Sequence, residues 1–163
     1  MKEQEILRIL DENARTSDSD IAKMLNISEA EVKKTIKALE KKGVIAGYHA
    51  IINQEKLDEN QCTALIEVNS IPQREHGYDK VALMIAQYPE VRSVYLISGH
   101  SEFIIRVVGK SIQDIADFVG SKLAPMDGIK GTSTIFVLKM YKRDGVILKK
   151  NDEEKQKRQL ASL

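Results

Sequence analysis

The sequence predicts an α+β protein in two parts, an all-helical head followed by a body of mixed strands and helices. Three observations predict it. Residues 1–45 carry apolar side chains at helical spacing throughout. From Cys62 onward, short β-rich runs alternate with helical ones. Between the two lies "EKLDENQ", which has the composition of a polar linker.

In the head, Ile6, Ile9, Leu10 and Ala14 recur on one face of a first helix. Ile21, Ala22, Met24 and Leu25 form a second short apolar face, and Val32, Ile36 and Leu39 a third. Ser17 or Asp18 is placed to cap the second helix. Ser28 and Glu31 have the spacing of a capping box, in which hydroxyl and carboxylate each satisfy an orphan amide. Gly43 is free to turn left-handed and so to end the third helix. Beyond it, "VIAGYHAIINQ" reads as a connecting strand.

The joint between the second and third helices carries the first functional signal. A helix-turn-helix needs a small residue where the helices cross closely, and Ala22 stands there. It also needs a turn residue that accepts positive φ. Asparagine is the most tolerant choice after glycine, and Asn26 fills the position. Leu25 and Ile27 flank it as core anchors, while Val32 and Ile36 pin the following helix.

The outward side of that helix carries Lys33, Lys34, Lys37 and Lys41. Lysine-rich faces are ordinarily just solvated surface. Behind the Ala22–Asn26–Val32 framework, however, this is the helix that such a unit lays in the major groove. Its lysines would supply phosphate contacts. Base reading would fall to the first turns, to Ser28, Glu31, Lys34 and Thr35, with the carboxylate able to accept from cytosine. Thr16 and Ser17, at the entry to the second helix, complete the expected DNA contacts. The helix has no arginine for a bidentate guanine contact.

The body begins with the strand "CTALIEVNS", stopped by Pro72, and the helix "HGYDKVALMIAQY", stopped by Pro89. "VRSVYLIS" and "EFIIRVVG" follow as strands joined by a loop at Gly99, His100 and Ser101. "SIQDIADFVGSKLA" is a second helix with Ile112, Ile115, Val119 and Leu123 on one side, and "TSTIFVLKMY" is a fourth strand. The order βαββαβ is that of the ferredoxin-like fold. With both helices on one face, the other should turn polar if water covers it. Ile104, Val108, Ile135 and Val137 fall there instead, so something is expected to cover it. A second copy packed sheet to sheet is the simplest cover, and a terminal segment of the same chain is the alternative.

Composition narrows the function classes. The 163 residues are 42% hydrophobic and 30% charged, as in globular proteins. The N-terminus lacks the pattern of a secretory signal, and no apolar run approaches the roughly 20 residues that cross a bilayer. One cysteine, Cys62, fits a reducing cytoplasm and core packing. Net charge is only +1, so any attraction to nucleic acid must be local.

At this point the chain resembles the Lrp/AsnC family, the feast/famine transcription regulators, over roughly residues 3–142. The motifs are "ILRILDENARTSDSDIAKMLNIS" and "LEKKGVIAGYHAIIN" in the head, then "VRSVYLISGHSEFIIRVVG" and "GIKGTSTIFVLK" in the body. The resemblance implies a winged-type helix-turn-helix over 1–47, a hinge strand and linker over 48–61, and an effector-binding and oligomerisation (RAM) domain over 62–142. A C-terminal extension would occupy 143–163, with Val146–Leu148 as an edge strand and a charged tail after it. It further implies dimers assembling into octamers, and an amino-acid effector held at Gly99, His100, Ser101, Glu102, Thr132 and Thr134. Two positions depart from the family. Thr35 stands where arginine is usual, and Glu102 replaces the aspartate of the G-x-x-D loop.

Catalysis is not expected, and no catalytic residue, metal site or cofactor is assigned. His49, His76 and His100 are scattered without orienting partners, and no phosphate-binding or dinucleotide loop is present. The expectation is a cytoplasmic DNA-binding regulator. The alternatives are a metal-responsive regulator, using His100 and Glu102 with Cys62 or His76, and an architectural DNA-binding protein that senses no ligand.

Overall fold

The computed structural model describes residues 2–57, 61–72 and 77–148. It divides into two compact units, one ending at Ile51 and the other beginning at Ile52. In the first, α1 (Lys2–Glu12), α2 (Asp18–Leu25) and α3 (Glu29–Lys41) enclose Ile6, Ile21, Ala22 and Val32. Ile9, Leu10, Leu25, Ile27 and Ile36 pack around these four. Full burial of Ile6, Ile21 and Val32 contributes roughly 1.5–3 kcal/mol each. Two expected core residues stay outside. Ala14 falls beyond the end of α1 and is exposed, and Met24 is 65% exposed because it points away from the crossing helices.

Helix ends are set by side chains nearby in sequence. Ser17 caps α2, accepting from the Asp20 amide at 3.1 Å and donating to its carboxylate at 2.6 Å. That donated bond holds the Asp20 carboxyl below its ordinary range. Ser28 caps α3 by accepting from the Glu31 amide at 3.2 Å. The reciprocal half of the expected capping box is absent, because the Glu31 carboxylate turns to Lys2 Nζ, 3.2 Å away. Gly43, at φ +71°, ends α3 as the sequence implies. The connecting strand expected after it does not form. Residues 44–53 join no ladder, and a strand without a neighbouring edge leaves its amides to water. A short 3-10 turn, Gln54–Lys56, follows.

The second unit is a four-stranded antiparallel sheet in the order β2-β3-β1-β4. Its strands are β1 (Cys62–Ser70), β2 (Val91–Leu96), β3 (Phe103–Gly109) and β4 (Ile129–Phe136). Helix α4 (Asp79–Ala86) links β1 to β2, and α5 (Ile112–Phe118) links β3 to β4 through a π turn at Val119–Leu123. One face of the sheet, with Ala64, Ile66, Val68, Phe103, Ile105 and Val107, packs on Val81, Ile85, Ile115, Phe118 and Leu123. The buried face of α5 centres between Ile115 and Phe118. That leaves Ile112, expected in the core, 60% exposed. The fourth strand begins three residues before its expected start and ends at Phe136, because Ile129 already pairs with Ser70.

The other sheet face is mixed, not continuously apolar. The register places Tyr95, Ile104, Val108, Leu65 and Ile135 there, but also Arg106, Glu67 and Ser133. Of these, Tyr95 and Ile135 are 58% and 50% exposed. The expected edge strand is instead half of a separate small ladder, β5 (Lys142–Arg143) with β6 (Val146–Ile147). Asp144 and Gly145, at φ 45° and 83°, form its turn. The Leu148 carbonyl accepts from the Asn53 amide group at 2.8 Å. The expected charged tail from residue 149, with His76 and part of the linker, lies outside the described residues.

The corner at Asn26 makes a direct prediction. Turning left-handed costs a β-branched residue about 1–2 kcal/mol, so Asn26→Val should destabilise the first unit by that amount. Asn26→Gly, which turns left-handed without steric cost, should lose clearly less than Asn26→Val. Urea unfolding followed by circular dichroism separates the two, and equal loss by both variants would contradict the geometry.

Candidate nucleic-acid interface and effector loop

The DNA-facing candidate is built from the corner outward. Asn26 sits at φ 51°, ψ 51°, in the left-handed region. Its amide reaches the Lys23 carbonyl at 3.4 Å, and the Ile27 amide reaches the Ala22 carbonyl at 3.1 Å. The last carbonyls of α2 are thereby satisfied in the Schellman manner. Ile27 turns into the core, and Ser28 begins α3 one residue later.

Along α3, Lys33, Lys34, Lys37 and Lys41 line the side away from the core. Among the described residues none of the four forms an ion pair. Ammonium groups not held in ion pairs are free to release counterions from a duplex. The remaining expected contacts are engaged nearby. The Thr16 hydroxyl donates to the Asn13 carbonyl at 2.9 Å, and the hydroxyls of Ser17 and Ser28 cap their helices. The Thr35 hydroxyl donates to the Glu31 carbonyl at 2.9 Å. Lys2, which sequence spacing does not single out, holds the Glu31 carboxylate. Tyr48 carries no such signal either. Its hydroxyl donates to Glu40 at 3.0 Å, and burial followed by that carboxylate raises the phenol above its usual range.

The loop from Ile97 to Glu102 lies at the end of the sheet where β1 finishes and β4 starts. The Ile97 amide closes it on the Glu102 carbonyl at 2.9 Å. Gly99 and His100 are exposed, while Ser101 is buried. The Glu102 carboxylate accepts from the Ser70 amide at 2.8 Å, just past Val68–Phe103, the last pair of the β1–β3 ladder. Thr132 and Thr134 stand opposite Val68 and Ile66, on the helix side of the sheet. Thr132 therefore shares a row with Phe103, next to Glu102, and Thr134 lies one row deeper. An open hollow of about 620 Å³, lined in part by Gln87, Tyr88, Lys122 and Asp127, includes none of these residues. Among the described residues, no three His, Cys, Asp or Glu side chains are grouped to hold a metal ion. No helix there is long and apolar enough to cross a membrane.

Comparison with known proteins meets both units. Residues 2–46 match the model of a winged helix-turn-helix DNA-binding domain, and residues 63–147 match that of the Lrp/AsnC ligand binding domain. The chain belongs to the Lrp/AsnC family. The HTH-type transcriptional regulator YugG of Bacillus subtilis is 44% identical over 155 residues, covering 94% of this chain and 93% of the relative. LrpA of Pyrococcus abyssi is 35% identical over 137 residues, covering 84% and 94%. The structure of E. coli AsnC has the same fold, with TM-score 0.64 at 23% identity over 88% of this chain and 96% of that one. So does the regulator NMB0573 of Neisseria meningitidis, solved as a complex with L-Met, with TM-score 0.67 at 22% identity over 87% and 91%. The protein is thus a DNA-binding transcriptional regulator with an α+β architecture, and its relatives are regulators, not enzymes.

The lysine face of α3 gives the second prediction. Lys34→Ala with Lys37→Ala should weaken duplex binding by about tenfold near 0.1 M salt. The slope of log affinity against log salt should shrink by roughly 0.9 for each phosphate that is no longer neutralised. Fluorescence anisotropy with a labelled duplex measures both, and an unchanged affinity and slope would remove the two lysines from the interface.

Proposed function

We propose that this regulator binds promoter DNA as a multimer of paired heads and responds to a small effector, an amino acid, held at the loop Gly99–Glu102. The observation that carries the reading is the row of four lysines on α3, without ion pairs among the described residues, directly behind a corner that fixes how the helix is presented. In this reading residues 1–47 are the DNA-binding head, 48–61 the connection, 62–142 the effector and assembly domain, and 143–163 an extension. Heads held together gain affinity from effective concentration and not from new contacts. The half-apolar open sheet face, with Tyr95, Leu65 and Ile135, is the surface a second copy would cover. Dimers would build a higher oligomer, an octamer in the pattern of the family, working in the cytoplasm.

The effector part rests on the ligand-binding domain match and on the L-Met complex of the Neisseria relative. Gly99, His100, Ser101, Glu102, Thr132 and Thr134 would frame the ligand. A ligand preferring one arrangement of the effector domains would shift the assembly or the spacing of the heads. One observation favours a second reading, an architectural protein that binds DNA without sensing. The Glu102 carboxylate is already engaged by the Ser70 amide, so a ligand must share or displace it.

A thermal-shift panel of the twenty amino acids decides between the two. A ligand at 100 times its Kd stabilises the native form by about 2.7 kcal/mol, enough to move the melting point by several degrees. Glu102→Ala should remove that shift while leaving duplex affinity within about twofold, at a cost of about 1–3 kcal/mol for the orphaned Ser70 amide. No shift with any of the twenty would leave the architectural reading standing.

A further inference from the structure

The hydrogen-bonding groups near the start of α3 are committed within the head, and this decides what the helix has left for a base. The Thr35 hydroxyl proton is on the Glu31 carbonyl at 2.9 Å. One oxygen of the Glu31 carboxylate has Lys2 Nζ at 3.2 Å, so a cytosine amine would compete with an ammonium for it. That pair is exposed and worth little in stability, so its effect is positional. Ser28 is occupied as the cap. Beside the lysine row and the exposed Glu29, what Thr35 itself has left to offer is its γ-methyl.

We propose that Thr35 reads DNA through its methyl group: the regulator selects thymine by apolar contact with the C5-methyl in the major groove. Thymine is the base whose groove edge carries a methyl, and threonine is among the side chains that match it. The back-bond turns Thr35 from a polar reader into an apolar one. It holds the hydroxyl against the helix, so the methyl is the group on Cβ not bound to the chain itself. The lysines add phosphate affinity and guanine contacts but cannot distinguish thymine from a base lacking that methyl. This inference rests on the DNA-binding reading of α3 and adds to it the identity of the base.

The test uses the intact chain and a duplex that it enriches from a random-sequence pool. Replacing every thymine of that duplex by deoxyuridine removes the C5-methyls and keeps the pairing and the O4 acceptor. The parent should bind the uracil duplex about three- to fivefold more weakly for each thymine contacted, the worth of one buried methyl. An unselected duplex should show no such difference. Thr35→Ser keeps the hydroxyl and loses the methyl, and should erase the part of the ratio due to this residue. Thr35→Val keeps a methyl without the hydroxyl, and should preserve it. Discrimination retained by Thr35→Ser and lost in Thr35→Val would show that the hydroxyl reads, overturning the proposal. A parent that binds thymine and uracil duplexes equally, or enriches no sequence, would also overturn it while leaving DNA binding itself intact. Failure to bind any duplex would instead remove the DNA-binding role of α3, and this inference with it.

Discussion

At Asn26 the backbone turns left-handed, and the head is organised around that turn. A helix that stops must find donors for its last carbonyls, and here the amides of Asn26 and Ile27 supply them within two residues. The next two side chains are then committed: Ile27 enters the core and Ser28 opens α3. One residue more or less in this joint would rotate α3 by about 100° about its axis, the angle each helical residue subtends. Its lysines would turn toward the core of the head and Val32 toward water. The orientation of the charged face is therefore a consequence of hydrogen bonding at a corner, not of the charges themselves.

Charge in the head is arranged by occupying the acids. With a net charge of only +1, the chain has nearly as many carboxylates as cations, and an unspecialised surface would let them neutralise one another. Instead Glu31 is taken by Lys2, Glu40 by the Tyr48 hydroxyl, and Asp20 by Ser17 and Lys23. Each such contact is weak on an exposed surface. None of the four α3 lysines is in an ion pair among the described residues. The second unit uses a carboxylate in a related way, since Glu102 takes the Ser70 amide just beyond the end of the β1–β3 ladder. The open face of its sheet carries a further charge, Arg106. Burial, and then the nearby Arg143, lower the readiness of Arg106 to hold its proton relative to a free guanidinium.

Features fixed by neighbours in sequence are legible without coordinates. The left-handed Asn26, the caps at Ser17 and Ser28, the stop at Gly43 and the βαββαβ order are all of this kind, and β1 is delimited to the residue. What escapes depends on residues far apart along the chain. Lys2 meets Glu31 across 29 positions, Glu102 meets Ser70 across 32, and Asn53 meets Leu148 across 95. No periodicity encodes such contacts. The half-formed capping box shows the two levels in conflict, since spacing favours a local bond and a distant ammonium takes the carboxylate instead. Arg106 is hidden in the same way, because Ile104 and Val108 on either side of it suggest an unbroken apolar stripe. The loop proposed to hold the effector is singled out by resemblance alone, and the engagement of Glu102 is visible only in the fold.

The hydrophobic clusters of the head and of the effector domain share no residue. Damage is therefore compartmental. A chain whose head has lost its core still carries the complete set of buried residues of its second unit. Since assembly as proposed runs through that second unit, such a chain would still enlist sound subunits and dilute their grip on the operator. Where damaged and sound copies are made together, a lesion in the small cluster around Ile21 would then be felt as dominance, whereas a lesion around Ile66 would merely subtract one copy's worth of protein.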